Sequence, residues 1–156
     1  MKIKDKDSFR ISPIGFIRRD YGKVFLDIKD EYIPGLKEIE KFSHIQVFWW
    51  FSRFDSERYR NTLLCNPPYD APETGVFACR SPVRPNPIAL TTVKILETDL
   101  KNGLIYINEI DGYSDTPIID LKGYFPVCDR VKDAIVPKWA SDWPEWYPSE
   151  GLNPDK

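Results

Sequence analysis

Metal-ligating and nucleophilic side chains are scarce in this sequence. Its 156 residues include three cysteines, Cys65, Cys79 and Cys128, and a single histidine, His44. The cysteines are widely spaced and form no CxxC pair, so a zinc site would need carboxylates to complete its shell. A single histidine and the absence of a GxSxG motif argue against a Ser/His/Asp triad. We therefore predict no metal site, and a structural role for His44 beside an aromatic run.

Long apolar runs and glycine-rich nucleotide motifs are missing as well. The longest apolar run, Val47–Phe51, is far shorter than a membrane span, so we predict no contact with a membrane. Neither GxGxxG nor GxxxxGK followed by Ser or Thr occurs, which argues against Rossmann and P-loop sites. The first ten residues, MKIKDKDSFR, lack the apolar segment of a signal peptide. With the odd number of cysteines, this predicts a cytoplasmic location, and charged residues 1–8 are expected to fray.

The composition favours one folded domain. Hydrophobic residues make up 42% of the chain and aromatic residues 14%, which is too rich in core formers for disorder. The net charge of −2 argues against a broad nucleic-acid surface but is compatible with a local basic patch. We predict a single domain over residues 1–156 with its core over 11–130, and a tail over 131–156 that wraps the outside.

Apolar periodicity predicts a mainly β fold. Seven segments have the composition of strands: Pro13–Arg18, Val24–Ile28, Phe42–Phe54, Gly75–Cys79, Ile88–Leu100, Leu104–Ile110 and Pro117–Lys122. Phe42–Phe54 is apolar on both faces, which is typical of a central strand covered on both sides. Tyr32–Glu40 is the one predicted helix, because Ile33, Leu36 and Ile39 recur at helical spacing. Arg53–Thr74 is charged and turn-rich, and is expected to be a surface excursion.

Strands in this number, with one helix, predict a partly closed single-domain β-barrel with irregular excursions. Lys101–Gly103 is the turn of the clearest hairpin. The predicted core contains Val47, Trp49, Phe51, Val76, Phe77, Val93, Ile105 and Ile107. Trp139, Trp143 and Trp146 lie close together in the tail, and a monomer would have difficulty covering all this apolar surface. We therefore expect a two-fold homodimer.

Two loops have the residue types of a ligand site. The first lies within GVFACRSPVRPNPIALT, Gly75–Thr91, where three prolines within six residues exclude a helix or a central strand. A stiff loop loses little entropy when a ligand binds. It carries Arg80, Ser81, Arg84 and Asn86. The second loop is Asp111–Thr116. The alternative is a proline-rich connection with solvated arginines.

If both loops lie at one rim of the barrel, they form a polar pocket lined by aromatic residues. Arg80 or Arg84 could bind a carboxylate through two parallel hydrogen bonds. Asn86 could recognise an amide or a base edge. The backbone of Ser114–Thr116 could hydrogen-bond an adenine.

Four blocks of the sequence carry a family resemblance. GVFACRSPVRPNPIAL resembles GVFATRSPxRPNPIGLS, the signature of the TsaA-like (TrmO-type) family. PIGFIR is similar to its opening strand, GLKEIEKFSHIQVFWWF to its L-x-G-(L/I)-E-x-F-S-H block, and DTPIIDLKGYFP to DGTPVLDIKPYxP. Together the blocks span residues 12–130. The resemblance implies a homodimeric β-barrel methyltransferase that uses S-adenosylmethionine. It also implies N6-methylation of threonylcarbamoyl-adenosine at position 37 of tRNA. A local basic patch could bind the tRNA.

The resemblance also implies site residues. Arg80, Leu90, Thr116 and Pro117 fall on positions that contact S-adenosylmethionine in the family, and Ser81, Arg84 and Asn86 fall within its main motif. Two dipeptides at cofactor positions depart from the family pattern: Ser52-Arg53 replaces His-Gln, and Ser114-Asp115 replaces Asp-Gly. The predicted cofactor-binding residues are therefore Ser52, Arg53, Arg80, Ser81, Arg84, Asn86, Leu90, Ser114, Asp115, Thr116 and Pro117. Larger members carry a C-terminal domain that we do not expect here.

Transfer from a sulfonium needs alignment and little base assistance, because the methyl group is already electrophilic. Tyr113 and Asp120 lie near the second loop and are the candidate catalytic bases, although Asp120 could instead hold the loop backbone. The departures from the family pattern leave an alternative open. The barrel could bind S-adenosylmethionine or another small molecule and act on a different acceptor, or perform no catalysis.

Overall fold

Six strands of alternating apolar residues form the centre of the molecule. The computed structural model describes residues 9–68 and 71–149, so that the predicted fraying of residues 1–8 lies outside the described part. The six strands are β1 (Gly15–Asp20), β2 (Lys23–Ile28), β3 (His44–Trp50), β6 (Ile88–Asp99), β7 (Leu104–Ile107) and β8 (Pro117–Gly123). A separate two-stranded sheet pairs β4 (Leu64–Cys65) with β5 (Thr74–Gly75).

The six long strands close into an antiparallel barrel in the order β1-β2-β7-β6-β3-β8, with β8 paired back to β1. The mainly β single-domain prediction is confirmed, and the barrel is closed where we expected partial closure. Closure gives each of these six strands a neighbour on both sides, which removes the two free edges of an open sheet. The β6–β7 hairpin turns at Leu100–Gly103, as the sequence predicted.

The interior is filled by the inward-facing residue of each pair along the strands. Ile17, Leu26, Ile45, Ile105 and Ile118 are fully buried there. The predicted core is confirmed for Val47, Trp49, Val93, Ile105 and Ile107, while Phe51 is partly buried and Val76 is buried outside this cluster. Phe77 was wrongly assigned to the core, since its side chain is 81% exposed.

Phe77 is exposed because Gly75–Cys79 is not the buried strand that its apolar composition predicts. Pairing ends at Gly75, and Val76–Ala78 forms a turn of 3₁₀-helix. The guanidinium of Arg84 donates to the carbonyl oxygens of Val76 and Cys79, both at 2.8 Å. A charged side chain thus satisfies carbonyl groups that a sheet partner would otherwise occupy.

The predicted helix over Tyr32–Glu40 is also wrong in type. The segment forms two short 3₁₀-helices, Asp30–Leu36 and Ile39–Lys41. Pro34 lies inside the first and cannot donate a backbone hydrogen bond. Glu38 then adopts a left-handed backbone conformation with φ of 75°, which ends any continuous helix. The remaining helices are α1 (Glu57–Arg60), α2 (Pro126–Asp129) and 3₁₀ turns at Ser52–Phe54 and Lys138–Ala140.

Strand β3 is shorter and less enclosed than predicted. It ends at Trp50, and the expected continuation to Phe54 is a 3₁₀ turn. Ile45, Val47 and Trp49 face the barrel interior, whereas the outward side chains, including Phe48, stay half-buried. The strand is therefore covered fully on one face, because a barrel wall has one interior side. Likewise β7 ends at Ile107, although Ile110 beyond it is buried.

The segment that follows β8 packs against Phe42 and the outer face of β3. Phe125 meets the ring of Phe42 edge to face, with centroids 5.0 Å apart. The Gln46 amide donates to Asp129 at 3.2 Å. His44 lies between the rings of Tyr124 and Tyr147, each with its centroid 6.4 Å away. These contacts give His44 a packing environment away from the loops at the barrel rim. Within residues 9–68 and 71–149, no helix has the length and apolarity needed to cross a bilayer.

Candidate functional site

The two loops singled out in the sequence meet at one end of the barrel. Trp49, Phe51, Arg80 and Asp111 line the cleft between them, which we call the rim cleft. One lobe, of about 220 Å³, extends towards Arg53, Tyr113 and Thr116. The other, of about 250 Å³, extends along Arg84, Ile88, Ala89, Leu90 and Thr91.

Strand pairing brings the proline loop to this end. β3 runs antiparallel to β6, so Trp50 at the end of one strand lies opposite Ile88 at the start of the other. The backbone N–H of Phe51 donates to the carbonyl of Pro87 at 2.8 Å and extends the pairing by one residue. The last residues of the loop are therefore fixed to the aromatic strand, and the loop borders the cleft.

A hydrogen-bonded chain links the barrel interior to the cleft. The indole N–H of Trp49 donates to Thr91 Oγ1 at 3.1 Å, and that hydroxyl donates to Asp111 Oδ1 at 3.2 Å. Trp49 and Thr91 are buried, whereas Asp111 is exposed. The hydrogen bond from Thr91 thus holds the Asp111 carboxylate in position, and the carboxylate remains accessible from the cleft. The sequence analysis did not select Asp111, although an acidic residue that opens a loop after a strand is a usable signal.

The two arginines of the proline loop lie in different environments. The exposed Arg80 lines both lobes, and its guanidinium donates to the carbonyl of Leu90 at 2.5 Å. Arg84 is half-buried and, besides the two carbonyls described above, donates to the carbonyl of Ser81 at 2.8 Å. Arg84 therefore makes three hydrogen bonds to the loop backbone, whereas Arg80 makes one to a backbone carbonyl and lines both lobes.

Two further predicted residues of this loop lie beside the cleft. The hydroxyl of Ser81 accepts the backbone N–H of Val83 at 3.2 Å, which braces the turn. Asn86 is exposed and does not belong to the residues that line either lobe. Leu90, at the start of β6, does line the cleft.

The second loop divides between the cleft and strand β1. Thr116 is buried and lines the cleft, as does Tyr113, whose ring lies 3.7 Å from the Arg53 guanidinium. The Ser114 hydroxyl instead accepts the backbone N–H of Arg19 at 3.3 Å. Asp115 has a positive φ of 67° and pairs with Arg18. These two residues hold the loop to β1, and neither lines the cleft.

Four other predicted residues are divided in the same way. Ser52 and Arg53 follow β3 and line the cleft. Pro117 pairs with Phe16 at the start of β8, outside the lining. Asp120 lies further along β8, pairs with Lys122 at 2.8 Å and accepts the backbone N–H of Leu121 at 2.9 Å. Of the two candidate bases, Tyr113 therefore belongs to the cleft and Asp120 does not.

An ionic network connects the surface excursion to the proline loop. Hydrogen bonds from Arg60 and then from Trp50 lower the pKa of Asp55 below its ordinary value. Arg60 also donates to the carbonyl of Pro85 at 3.2 Å. The excursion is thus tied to both walls of the site. In the described part of the chain, no three His, Cys, Asp or Glu side chains are grouped to hold a metal ion.

Comparison with known proteins identifies the family of this chain. The family described as the tRNA-methyltransferase O N-terminal domain matches residues 10–130. The chain belongs to this family. A relative from Methanocaldococcus jannaschii, described as a probable S-adenosyl-L-methionine-binding protein, is 41% identical over 126 residues, covering 80% of this chain and 98% of that protein. The tRNA (adenine(37)-N6)-methyltransferase of Mus musculus is 34% identical over 101 residues, covering 65% of this chain and 23% of the enzyme.

Solved structures agree on the fold. TrmO from Pseudomonas aeruginosa superposes with a TM-score of 0.63 at 24% identity, covering 82% of this chain and 61% of the other. A second TrmO structure gives a TM-score of 0.64 at 26% identity, covering 82% of this chain and 62% of the other. The chain therefore spans less than two thirds of these TrmO chains, and the family predicted from sequence is confirmed.

Proposed function

We propose that this protein transfers a methyl group from S-adenosylmethionine to N6 of adenosine 37 in tRNA, with the rim cleft as the site of reaction. Family membership and relatives described as S-adenosylmethionine-binding confirm the predicted cofactor and the predicted class, an S-adenosylmethionine-dependent methyltransferase. The position in tRNA and the preference for a threonylcarbamoyl-adenosine remain part of the proposal. The observation that carries it is the meeting of Arg80 and Asp111 over an aromatic floor.

The side chains of the rim cleft fit the chemistry of the cofactor. S-adenosylmethionine combines a carboxylate, an ammonium, a positively charged sulfonium and an adenine ring. The cleft supplies a guanidinium from Arg80 for the carboxylate and a carboxylate from Asp111 for positive charge. Trp49 and Phe51 form an apolar floor, with centroids 4.6 Å apart, against which a planar base can pack. The charged and aromatic side chains of the cleft thus complement the carboxylate, the positive charge and the adenine ring of S-adenosylmethionine.

The bound cofactor supplies an electrophilic methyl group, so this chain has to align the acceptor and manage charge. Arg80, held by the carbonyl of Leu90, would orient the carboxylate end. Asp111, held by Thr91, would offset positive charge within the cleft. Tyr113 lines the same opening and is our proposed base: its phenol oxygen would accept the N6 proton while the phenol proton passes to solvent. A carbamoylated N6 is more acidic than a free amine, which is why we propose the threonylcarbamoyl-adenosine as the substrate.

Arginines at one side of the cleft are proposed to hold tRNA. Arg53 lines the opening, and Arg58 is exposed on α1 a few residues beyond. This local group of positive charge is compatible with the net charge of −2, because phosphate contacts depend on local potential. We also propose a cytoplasmic location, where tRNA is available.

The tail is the proposed interface of a homodimer. Val131, Ile135, Trp143 and Trp146 are exposed by 49% or more, and they lie within a short stretch of chain. Exposed apolar side chains concentrated in one segment are costly to leave in water. A second copy would cover it symmetrically. Light scattering at micromolar concentration should give the mass of two chains, and a single-chain mass would contradict this assembly.

Methyl transfer to tRNA tests the activity directly. We expect labelled methyl groups from S-adenosylmethionine to enter tRNA that carries threonylcarbamoyl-adenosine, with the product identified by mass spectrometry of nucleosides. Transcribed tRNA without the modification should react at least about ten-fold more slowly, because its N6 proton is less acidic. Equal rates would remove the threonylcarbamoyl preference.

A second reading has support from relatives that are described as binding proteins. The protein could bind S-adenosylmethionine and transfer nothing to tRNA. Calorimetry distinguishes the cases: cofactor binding without methylation of either tRNA would favour this reading, and absence of both would contradict the rim cleft as the cofactor site.

A further inference from the structure

Two of the three cysteines lie side by side, although the sequence separates them. Cys65 Sγ is 3.0 Å from Cys79 Sγ, across a separation of fourteen residues. Cys65 ends β4, and Cys79 directly follows the 3₁₀ turn that ends at Ala78. The sulfur of Cys79 also lies 3.7 Å from the carbonyl of Val76. The widely spaced cysteines of the sequence thus become a dithiol pair at the base of the proline loop.

A second cavity gives small molecules access to this pair. It has a volume of about 590 Å³ and is separate from the rim cleft, although Arg80 and Pro82 border both. Cys65 and Cys79 line it, and Trp139 of the tail forms the opposite wall. Both thiols are half-buried, so they are shielded from large reagents and open to a small one.

We propose that Cys65 and Cys79 are a redox site at which a peroxide forms a reversible intramolecular disulfide. In the first step a thiolate attacks one peroxide oxygen, the O–O bond breaks, and a sulfenic acid and one water result. In the second step the other thiol attacks the sulfenic sulfur and the S–S bond forms. The hydroxyl then leaves as a second water. The two thiols together lose two electrons, and one hydrogen peroxide molecule accepts them and is reduced to two waters.

The surroundings of Cys65 disfavour its thiolate. Burial, and then the neighbouring Cys79, raise the pKa of the Cys65 thiol above its ordinary value. Either sulfur can begin the reaction and be attacked by the other, because the two Sγ atoms lie 3.0 Å apart. Because thiolates are the reactive species, oxidation should accelerate as the pH rises from 7 to 9.

Closing the disulfide would join the excursion to the start of the proline loop. The sheet between β4 and β5 contains two residue pairs, Leu64 with Gly75 and Cys65 with Thr74. A covalent link from Cys65 would restrain Cys79, whose chain neighbour is Arg80. The redox site therefore lies next to the rim cleft without contributing to its lining.

Trypsin gives a direct assay, because residues 61–80 contain no lysine or arginine before Arg80 and carry both cysteines on one peptide. The full-length protein is treated with stoichiometric hydrogen peroxide, without cofactor, alkylated and digested. We expect peptide 61–80 to lose two hydrogen atoms and to escape alkylation. Dithiothreitol should restore two alkylation sites. A peptide that stays fully alkylated, or that gains oxygen atoms, would overturn the proposal.

Cys128→Ser is the matched control, because Cys128 is exposed on α2 and outside the pair. This variant should form the same cross-link at the same rate. Cys65→Ser and Cys79→Ser should each abolish it and leave a peptide that gains oxygen. If either variant fails to fold, the result with the parent protein and Cys128→Ser still decides whether peroxide forms the Cys65–Cys79 disulfide. Because no cofactor is present, the outcome is independent of the proposed methyl transfer.

Discussion

The barrel and the segments around it differ in what fixes their backbone. In the barrel, strand pairs satisfy the backbone groups and a continuous apolar interior fixes the register. In the proline loop, side chains satisfy several of these groups. The Arg84 guanidinium donates to three backbone carbonyls, and Arg60 donates to a fourth, that of Pro85. The rim cleft lies where the two regions meet, with its floor in the barrel and its polar groups largely in the surrounding loops.

The largest contrast should appear when a methyl-rich side chain is removed from each region. Ile105 is fully buried in β7, and Leu63 in the excursion is 57% exposed. Ile105→Ala should lower the free energy of unfolding by about 2–5 kcal/mol, because it leaves a cavity in a closed interior. Leu63→Ala should change it by less than about 0.5 kcal/mol. Urea unfolding measures both, and equal losses would contradict the distinction between the two regions.

Two glycines sharpen the comparison at the backbone. A Cβ at Gly15 in β1 would lie 2.4 Å from the carbonyl oxygen of Asp27, whereas at Gly75 it would meet nothing within 4 Å. Gly15→Ala should therefore cost about 3 kcal/mol, because a backbone atom of β2 cannot move aside without disturbing the barrel.

Gly75→Ala is the matched control for that substitution. Gly75 has a φ of −65°, which alanine adopts without strain, so its stability should stay within about 0.5 kcal/mol of the parent. Thermal unfolding of both variants and the parent in the same buffer measures these stability differences. A neutral Gly15→Ala would show that the β1–β2 contact is looser than its geometry indicates.

The same division explains how much the sequence could predict. The period of two along Val24, Leu26 and Ile28 depends on the barrel interior, and strands of this kind were predicted within a few residues. The 3₁₀ turn at Val76–Ala78 depends on Arg84, whose role cannot be read from local composition. Apolar composition alone therefore predicted a strand there.

The candidate site was predictable to the same extent. Motif residues such as Arg80 and Thr116 were placed at the cleft by sequence reasoning, because strand order brings both loops to one end. Asp111 was missed, since its importance arises from a hydrogen bond to Thr91 across the barrel wall. Ser114 and Asp115 were expected in the cleft, yet they contact β1 through partners nearly one hundred residues away. Long-range partners of this kind leave no local signal.

At the junction of the two regions, Arg80 should be sensitive to a change that keeps its charge. Arg80→Lys removes the planar fork, and affinity for S-adenosylmethionine should fall by about 1–3 kcal/mol, the range for a hydrogen bond to a charged group. Arg58→Lys is the control, because Arg58 is exposed on α1 and does not line the cleft. Its affinity for the cofactor should change by less than about 0.5 kcal/mol. Calorimetric titration at one salt concentration measures both affinities. Equal cofactor affinities of the two variants would mean that Arg80 is not part of the cofactor site.

The smallest expected effect concerns Asp55, which joins the excursion to the aromatic strand. Its carboxylate accepts hydrogen bonds from Arg60 at 2.5 Å and from the Trp50 indole at 2.8 Å, and these lower its pKa in the folded state. A group with a lowered folded pKa stabilises the fold fully above its unfolded pKa, and that contribution disappears as the pH falls through the folded value. The loss should therefore occur below about pH 4, the ordinary aspartate range.

Because the Asp55 side chain is 32% exposed, solvent screens the pair and Asp55→Asn should cost about 0.5 kcal/mol at pH 7. At pH 3 the difference between variant and parent should shrink, since protonation has already weakened the pair in the parent. Lys41→Gln at the exposed Lys41–Glu38 pair is the control, and it should leave the acid part of the profile unchanged in shape. Urea unfolding at pH 7, 5 and 3 measures these differences. A variant that loses the same stability at every pH would mean that Asp55 acts through the shape of its hydrogen bonds, and that its charge contributes nothing to holding the excursion on the barrel.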